Sequence, residues 1–316
     1  MRILDRIAQF VLQSRLRACI TTILLVFLPP LRWAGWAILG FVTLRQGSRD
    51  GGVILASIAV FVLGMGIATI HWASPETLPA NIPVSMMWFG IVELVLSGFV
   101  VWGFALILRQ TVSWTRVLQV AVWVGVAVLA LIHLFYPDIT AWWAPFIKEN
   151  MLRMQKALPE LLTSDKIAQV SEQAAKVITG VHLSILVFLG LFSLFLARWW
   201  QASLYNPGGL RPELLQIRLG VRETVLLGVI ILFIFTDISA MGTAIAMDCA
   251  PLIGLIFVLA GISLVHRLMN MIQKPWIGLL LFYGLLVFET RYVVLVLISL
   301  AVIDSGVNVS SRLIKR

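Results

Sequence analysis

Charged side chains and cysteine are both scarce in this chain. Only 12% of its 316 residues are Asp, Glu, Lys or Arg, while 60% are hydrophobic. Soluble domains carry roughly twice that share of charge, so an ordinary water-soluble globule is excluded. Apolar runs of about 20 residues recur, the length a helix needs to cross the hydrocarbon of a bilayer. The hydrophobicity therefore describes a lipid-facing surface. The two cysteines, Cys19 and Cys249, both lie in apolar segments. Two isolated thiols make neither a disulfide framework nor a metal site. Enzyme signatures are missing too: there is no G-x-S-x-G, H-E-x-x-H, Walker loop or Rossmann fingerprint. No catalytic residue and no cofactor is expected. His71, His133, His182 and His266 each fall near the end of an apolar run, where an amphipathic ring is tolerated, and no metal site is assigned to them.

Acidic residues are the rarer sign of charge. There are 24 Lys and Arg against 15 Asp and Glu, a net charge of +9. In a soluble protein this would suggest nucleic acid. In a membrane protein the commoner cause is the excess of Lys and Arg in cytoplasmic loops. The segments 1–17, 45–52, 109–116, 198–222, 266–274 and 312–316 hold 17 of the 24 basic residues. An alternating topology puts all six on one side, so both termini are expected in the cytoplasm and nucleic acid is discarded as a partner. Tryptophans near span ends (Trp33, Trp72, Trp114, Trp142, Trp143, Trp199, Trp200 and Trp276) are expected to be interfacial anchors.

Along the chain, the basic amphipathic N-terminus lacks the apolar core of a cleavable signal peptide and is expected to be retained. Pro29-Pro30 interrupts the run 18–44 and predicts two short helices, as a hairpin or a broken span. Spans are expected at 51–70, 84–108, 117–135, 181–197, 223–237 and 244–265. A second hairpin of short helices is expected at 276–307, broken at Glu289-Thr290-Arg291. The fold class is an all-α polytopic bundle, one integral membrane domain of eight to ten membrane helices. The insert 136–180, with five basic and five acidic residues, falls on the extracytoplasmic side. In it Ser164 can cap a helix, with an apolar stripe of Ile167, Val170, Ala174 and Val177 continuing to Val181. Ala240 and Ala244, and Ala246, Ala250 and Gly254, have the small-xxx-small spacing that lets helices approach closely.

Ionisable residues inside spans are expensive in hydrocarbon, so they mark cavities or partners. Glu93 lies near mid-membrane in the span 84–108 and is the candidate ligand-binding residue. Arg32, Asp248, Glu289, Arg291 and Asp304 are the other intramembrane or interfacial charges, with Glu289 and Arg291 close enough to pair at a hairpin tip. The polar loop 198–222 is read as cytoplasmic. Arg198 and Trp199 anchor its start. Asn206-Pro207-Gly208-Gly209 is a turn, in which proline fixes φ and glycine permits positive φ. Pro212 then begins a short helix in the headgroup layer, with Glu213 in its first turn. Arg198, Arg211, Arg218 and Arg222 would meet anionic lipid or pair with Glu213 and Glu223.

The stretch "ARWWQASLYNPGGLRPELLQIRL" resembles a pattern of the YybS-like family of bacterial polytopic membrane proteins, a domain of unknown function. Arg198, Trp199, Gln201, Asn206, Pro207, Gly208, Gly209, Glu213 and Arg218 carry the resemblance. "LPPLRWAGWAILGFVTLRQG" (28–47) and "LAVIDSGVNVSSR" (300–312) are similar to two further stretches of that family. The family in turn is distantly similar to the substrate-binding S subunits of energy-coupling-factor transporters. The resemblance implies a protein of the bacterial cytoplasmic membrane that binds or transports a small molecule. The alternative is a non-transporting scaffold or regulator that engages a membrane or cytoplasmic protein through loop 198–222.

Overall fold

In the computed structural model the described residues are 2–72, 84–157 and 164–307, and they are helical with no strand. The helices run α1 (Arg2–Leu12), α2 (Arg15–Phe27), α3 (Arg32–Gln46), α4 (Ser48–Trp72), α5 (Val84–Thr111), α6 (Trp114–Phe135) and α7 (Ile139–Ala157). They continue as α8 (Ser164–Ala175), α9 (Ile178–Tyr205), α10 (Leu210–Leu215), α11 (Val221–Thr236), α12 (Ala240–Met269), α13 (Pro275–Phe288) and α14 (Thr290–Val307).

Among the described residues, six helices are long and apolar enough to cross a membrane: α4, α5, α6, α9, α12 and α14. The bent pair α1 and α2, which turns by 118°, would make a seventh if it forms one span. The expected eight to ten include the short helices of the two hairpins, and length alone gives six or seven. The reason is where polar and proline breaks fall. α2, α3, α11 and α13 have 13, 15, 16 and 14 residues, short of the roughly 20 that a crossing needs. Large apolar side chains face outward, with Val60 72% and Phe288 86% exposed. A lipid bilayer is the surroundings that such a surface fits.

The chain divides into two compact units. The first comprises residues 1–117 and 186–213. Its centre is α3, buried continuously from Gly35 to Leu44 and packed by α2, α4 and α5. Pro29-Pro30 ends α2 and forms a single 3₁₀ turn, so 18–44 is a hairpin rather than a broken span. Its two arms touch at Gly35, where a Cβ would lie 2.7 Å from Val26 Cγ2. Phe41 of α3 stacks on Trp200 at 4.3 Å.

The second unit comprises 118–185 and 214–316. Its long helix α12 packs along α14 and α11. A Cβ on Gly261 would meet the Leu297 carbonyl at 2.5 Å, so α12 and α14 approach backbone to backbone. The predicted stripe ending at Gly254 does not make this contact, since open space surrounds Gly254. The insert folds as two packed helices, α7 and α8. α8 starts at Ser164, whose side chain lies outside the described residues. Its buried face is Ile167, Ser171 and Ala175, whereas Val170 of the expected stripe is 42% exposed. Four-residue steps follow the 3.6-residue turn of a straight helix, and the packing against α7 selects them.

Candidate functional site

The second unit holds a buried pair that joins α6 to α12. His133 Nε2 lies 2.8 Å from Asp248 Oδ2. Both residues are buried, at 3% and 2% exposure. The other carboxylate oxygen accepts the Gly180 N–H at 2.8 Å, at the start of α9. Glycine is required at 180, because a Cβ there would sit 1.7 Å from the Asp248 carbonyl oxygen. Ser184 donates to the Gly180 carbonyl at 2.6 Å, and Trp143 donates to Thr179 Oγ1 at 3.0 Å. A carboxylate with one backbone donor and one imidazole is satisfied by hydrogen bonding without a permanent cation.

A second cluster lies towards the other end of α12. Asp304 of α14 receives Arg267 Nη2 on Oδ2 at 2.8 Å. Arg218 approaches the same oxygen at 3.7 Å. Arg218 also donates to the Asp304 carbonyl at 3.0 and 2.7 Å and to the Ser305 carbonyl at 3.0 Å. These carbonyls lie in the last described turn of α14. Thr224 and Ser305 share a hydrogen bond of 2.7 Å, and Ser263 donates to the Leu214 carbonyl at 2.8 Å. Arg218 and Asp304 thus meet each other.

In the first unit, Arg198 makes a bidentate pair with Glu213, with Nε 3.0 Å from Oε2, and donates to Gln201 at 2.5 Å. Between them stands the expected turn. Pro207 is followed by Gly208 at φ +86°, and Gly209 N–H donates to the Asn206 carbonyl at 3.0 Å, the pattern of a type II turn. Asn206, Pro207 and Gly208 are exposed. α10 begins at Leu210, two residues before Pro212. It ends at Leu215, and Ile217 and Leu219 beyond it are buried at 7% and 2%. The short helix expected here is six residues long, and its apolar continuation enters the protein.

Glu289 and Arg291 are exposed and make no ion pair with each other. Glu289 is the cap between α13 and α14, and residues two apart at a helix start do not face each other. Arg32 is exposed at the first position of α3. Trp114, Trp143 and Trp200 are buried, while Trp142 and Trp199 are exposed. Neighbours on a helix point about 100° apart, so each Trp-Trp pair sends one ring in and leaves one out. Glu93 is half-buried on α5. Residues 73–83, next to the start of that helix, lie outside the described residues, as does the basic C-terminus.

One buried carboxylate had a different expected partner. Glu223, 1% exposed, accepts from Gly220 N–H at 2.8 Å, Trp123 Nε1 at 3.2 Å and Gln119 Nε2 at 3.4 Å. It stands in the first turn of α11, where negative charge is favoured. The spacing of Gly220 and Glu223 was the signal available, since a glutamate three residues into a helix reaches back to the cap.

These features define a polytopic helical membrane protein with ionisable groups buried inside its apolar helices. Comparison with family models, with curated proteins and with solved structures gives no match.

Proposed function

We propose that this is a multi-pass protein of the bacterial cytoplasmic membrane, with both termini in the cytoplasm, that binds or transports a small solute. The observation that carries the reading is the Asp248–His133 pair, a carboxylate and an imidazole 2.8 Å apart and buried within apolar helices. Ionisable side chains inside a membrane are costly and tend to serve ion, proton or substrate pathways. Glu93 is the second candidate ligand-binding group in this reading. Kinship with the YybS-like family is also part of the proposal. It rests on the resemblance of residues 197–219, 28–47 and 300–312 to that family.

The test is mass spectrometry of solutes that copurify with the full chain in mild detergent, repeated on Asp248→Asn and Glu93→Gln. A solute retained by the wild type and lost from Asp248→Asn supports the assignment. A solute retained equally by all three proteins removes both residues from the site.

A scaffold or regulatory role is the second reading. It is favoured by the Asn206–Gly209 turn, exposed at its tip and flanked by the bidentate Arg198–Glu213 pair. Deleting Asn206–Gly209 should then abolish copurification of a protein partner while the protein stays inserted and folded.

A further inference from the structure

A cleft in the first unit has a lining chemistry that the reading above does not use. It is lined by Gln46, Gly47, Ser48, Arg49, Leu106, Arg109 and Gln110, and its volume is about 280 Å³. It lies where α3 passes into α4, beside the last turn of α5. Its lining offers two guanidinium groups, two primary amides and one hydroxyl, and no carboxylate. The acidic residue nearest in sequence, Asp50, is engaged by Arg15 at 2.5 Å. Neither Arg49 nor Arg109 has a carboxylate partner among the described residues.

The cleft is also built in detail. Arg109 is oriented by donating from Nη1 to the Thr43 carbonyl at 3.0 Å. Gly47 has φ +118°, which glycine alone adopts without strain. A Cβ at that position would stand 2.9 Å from Arg109 Nη1. Glycine therefore makes the turn and also leaves room for the guanidinium. Trp102 Nε1 donates to the Ser48 carbonyl at 3.2 Å, and Gln46 Nε2 to the Leu12 carbonyl at 3.1 Å. These bonds hold the α3–α4 corner against α5 and α1. Guanidinium groups match phosphate oxygens in geometry and in charge. The volume falls just below the range of drug-sized pockets, so it suits a headgroup-sized ligand rather than a nucleotide.

We infer that this cleft binds a phosphoryl group. Its source is either the headgroup of an anionic phospholipid or a small soluble phosphate. Basic pockets between membrane helices commonly recognise anionic headgroups, and each arginine adds a similar increment.

The experiment uses the full chain, with two probes. In one arm, protein in detergent is titrated with phosphatidylglycerol and, as the zwitterionic reference, with phosphatidylcholine, and bound lipid is counted by native mass spectrometry. In the other, protein in phosphatidylcholine nanodiscs is titrated calorimetrically with inorganic phosphate. Arg49→Gln with Arg109→Gln should weaken the bound probe by at least about tenfold. The charge-matched pair Arg116→Gln with Arg222→Gln, outside the cleft, should change it by less than about twofold. Preferential loss of phosphatidylglycerol identifies the lipid headgroup, and loss in the phosphate arm identifies a soluble ligand. Should the double variant fail to fold, Arg49→Gln alone, at an exposed and unpaired side chain, is expected to cost about fivefold. Equal weakening by both charge-matched pairs, or no binding of either probe by the wild type, overturns the inference.

Discussion

Two buried carboxylates on the packed helices of the second unit are kept in hydrocarbon by different means. Asp304 is held by fixed cations: Arg267 on its carboxylate, and Arg218 on both its carboxylate and its backbone. Asp248 is held by an imidazole and one backbone N–H. Asp248 and Arg267 are 19 residues apart on α12, roughly 28 Å along a helix that rises 1.5 Å per residue. The same helix therefore carries a permanent ion cluster towards one end and a carboxylate–imidazole pair towards the other. A guanidinium does not give up its proton in a protein, whereas an imidazole exchanges one readily. The Asp304 cluster suits a structural clamp that ties residues 214–220 to α14. The Asp248 pair is held without a permanent cation.

The sharpest way to break this comparison is Asp304→Ala. It leaves the part-buried Arg267 without its counter-ion, which should cost about 3 kcal/mol of stability, the low end for breaking a buried pair. Thermal unfolding in detergent reads this, and a Tm unchanged from wild type would show that the cluster is not a clamp. Gly180→Ala comes next. Its Cβ cannot be accommodated beside the Asp248 carbonyl without moving α9 from α12, at a cost of about 1–3 kcal/mol. Glu223→Gln should cost about 1–2 kcal/mol, because three donors lose a charged acceptor while the shape is kept.

The smallest effect is expected at Asp248→Asn. Asparagine keeps an acceptor for Gly180 N–H and an amide beside His133, so stability should change by less than about 1 kcal/mol. Under the proposed function, a copurifying solute should nevertheless be lost. If Asp248→Asn lowers the Tm as far as Asp304→Ala does, the two carboxylates are both structural and the contrast between them disappears.

The helices were legible because crossing a bilayer demands a long apolar run. The hairpin at 18–44 was legible because Pro29-Pro30 cannot continue a helix. Asp248 and Asp304 stood out as charges in apolar segments. Their partners did not stand out, since His133 is 115 residues from Asp248 and Arg218 is 86 from Asp304. Glu223 looked like a partner for arginine, yet its oxygens face an indole, an amide and a backbone N–H. In the Trp-Trp pairs, composition marked both rings as anchors and helix geometry buried one of each.

By itself the sequence determined that the protein is a helical membrane protein, because hydropathy and the positions of Lys and Arg act through the solvent and need no knowledge of contacts. It also determined the turn at 206–209, where proline and glycine limit φ locally. Tertiary structure alone decided which carboxylate meets a fixed cation and which meets an imidazole. It also decided that Arg49 and Arg109, 60 residues apart, line one cleft with no acid among its lining residues. Such pairings depend on how helices pack, and packing is set by side-chain shape summed over many neighbours, not by any local pattern.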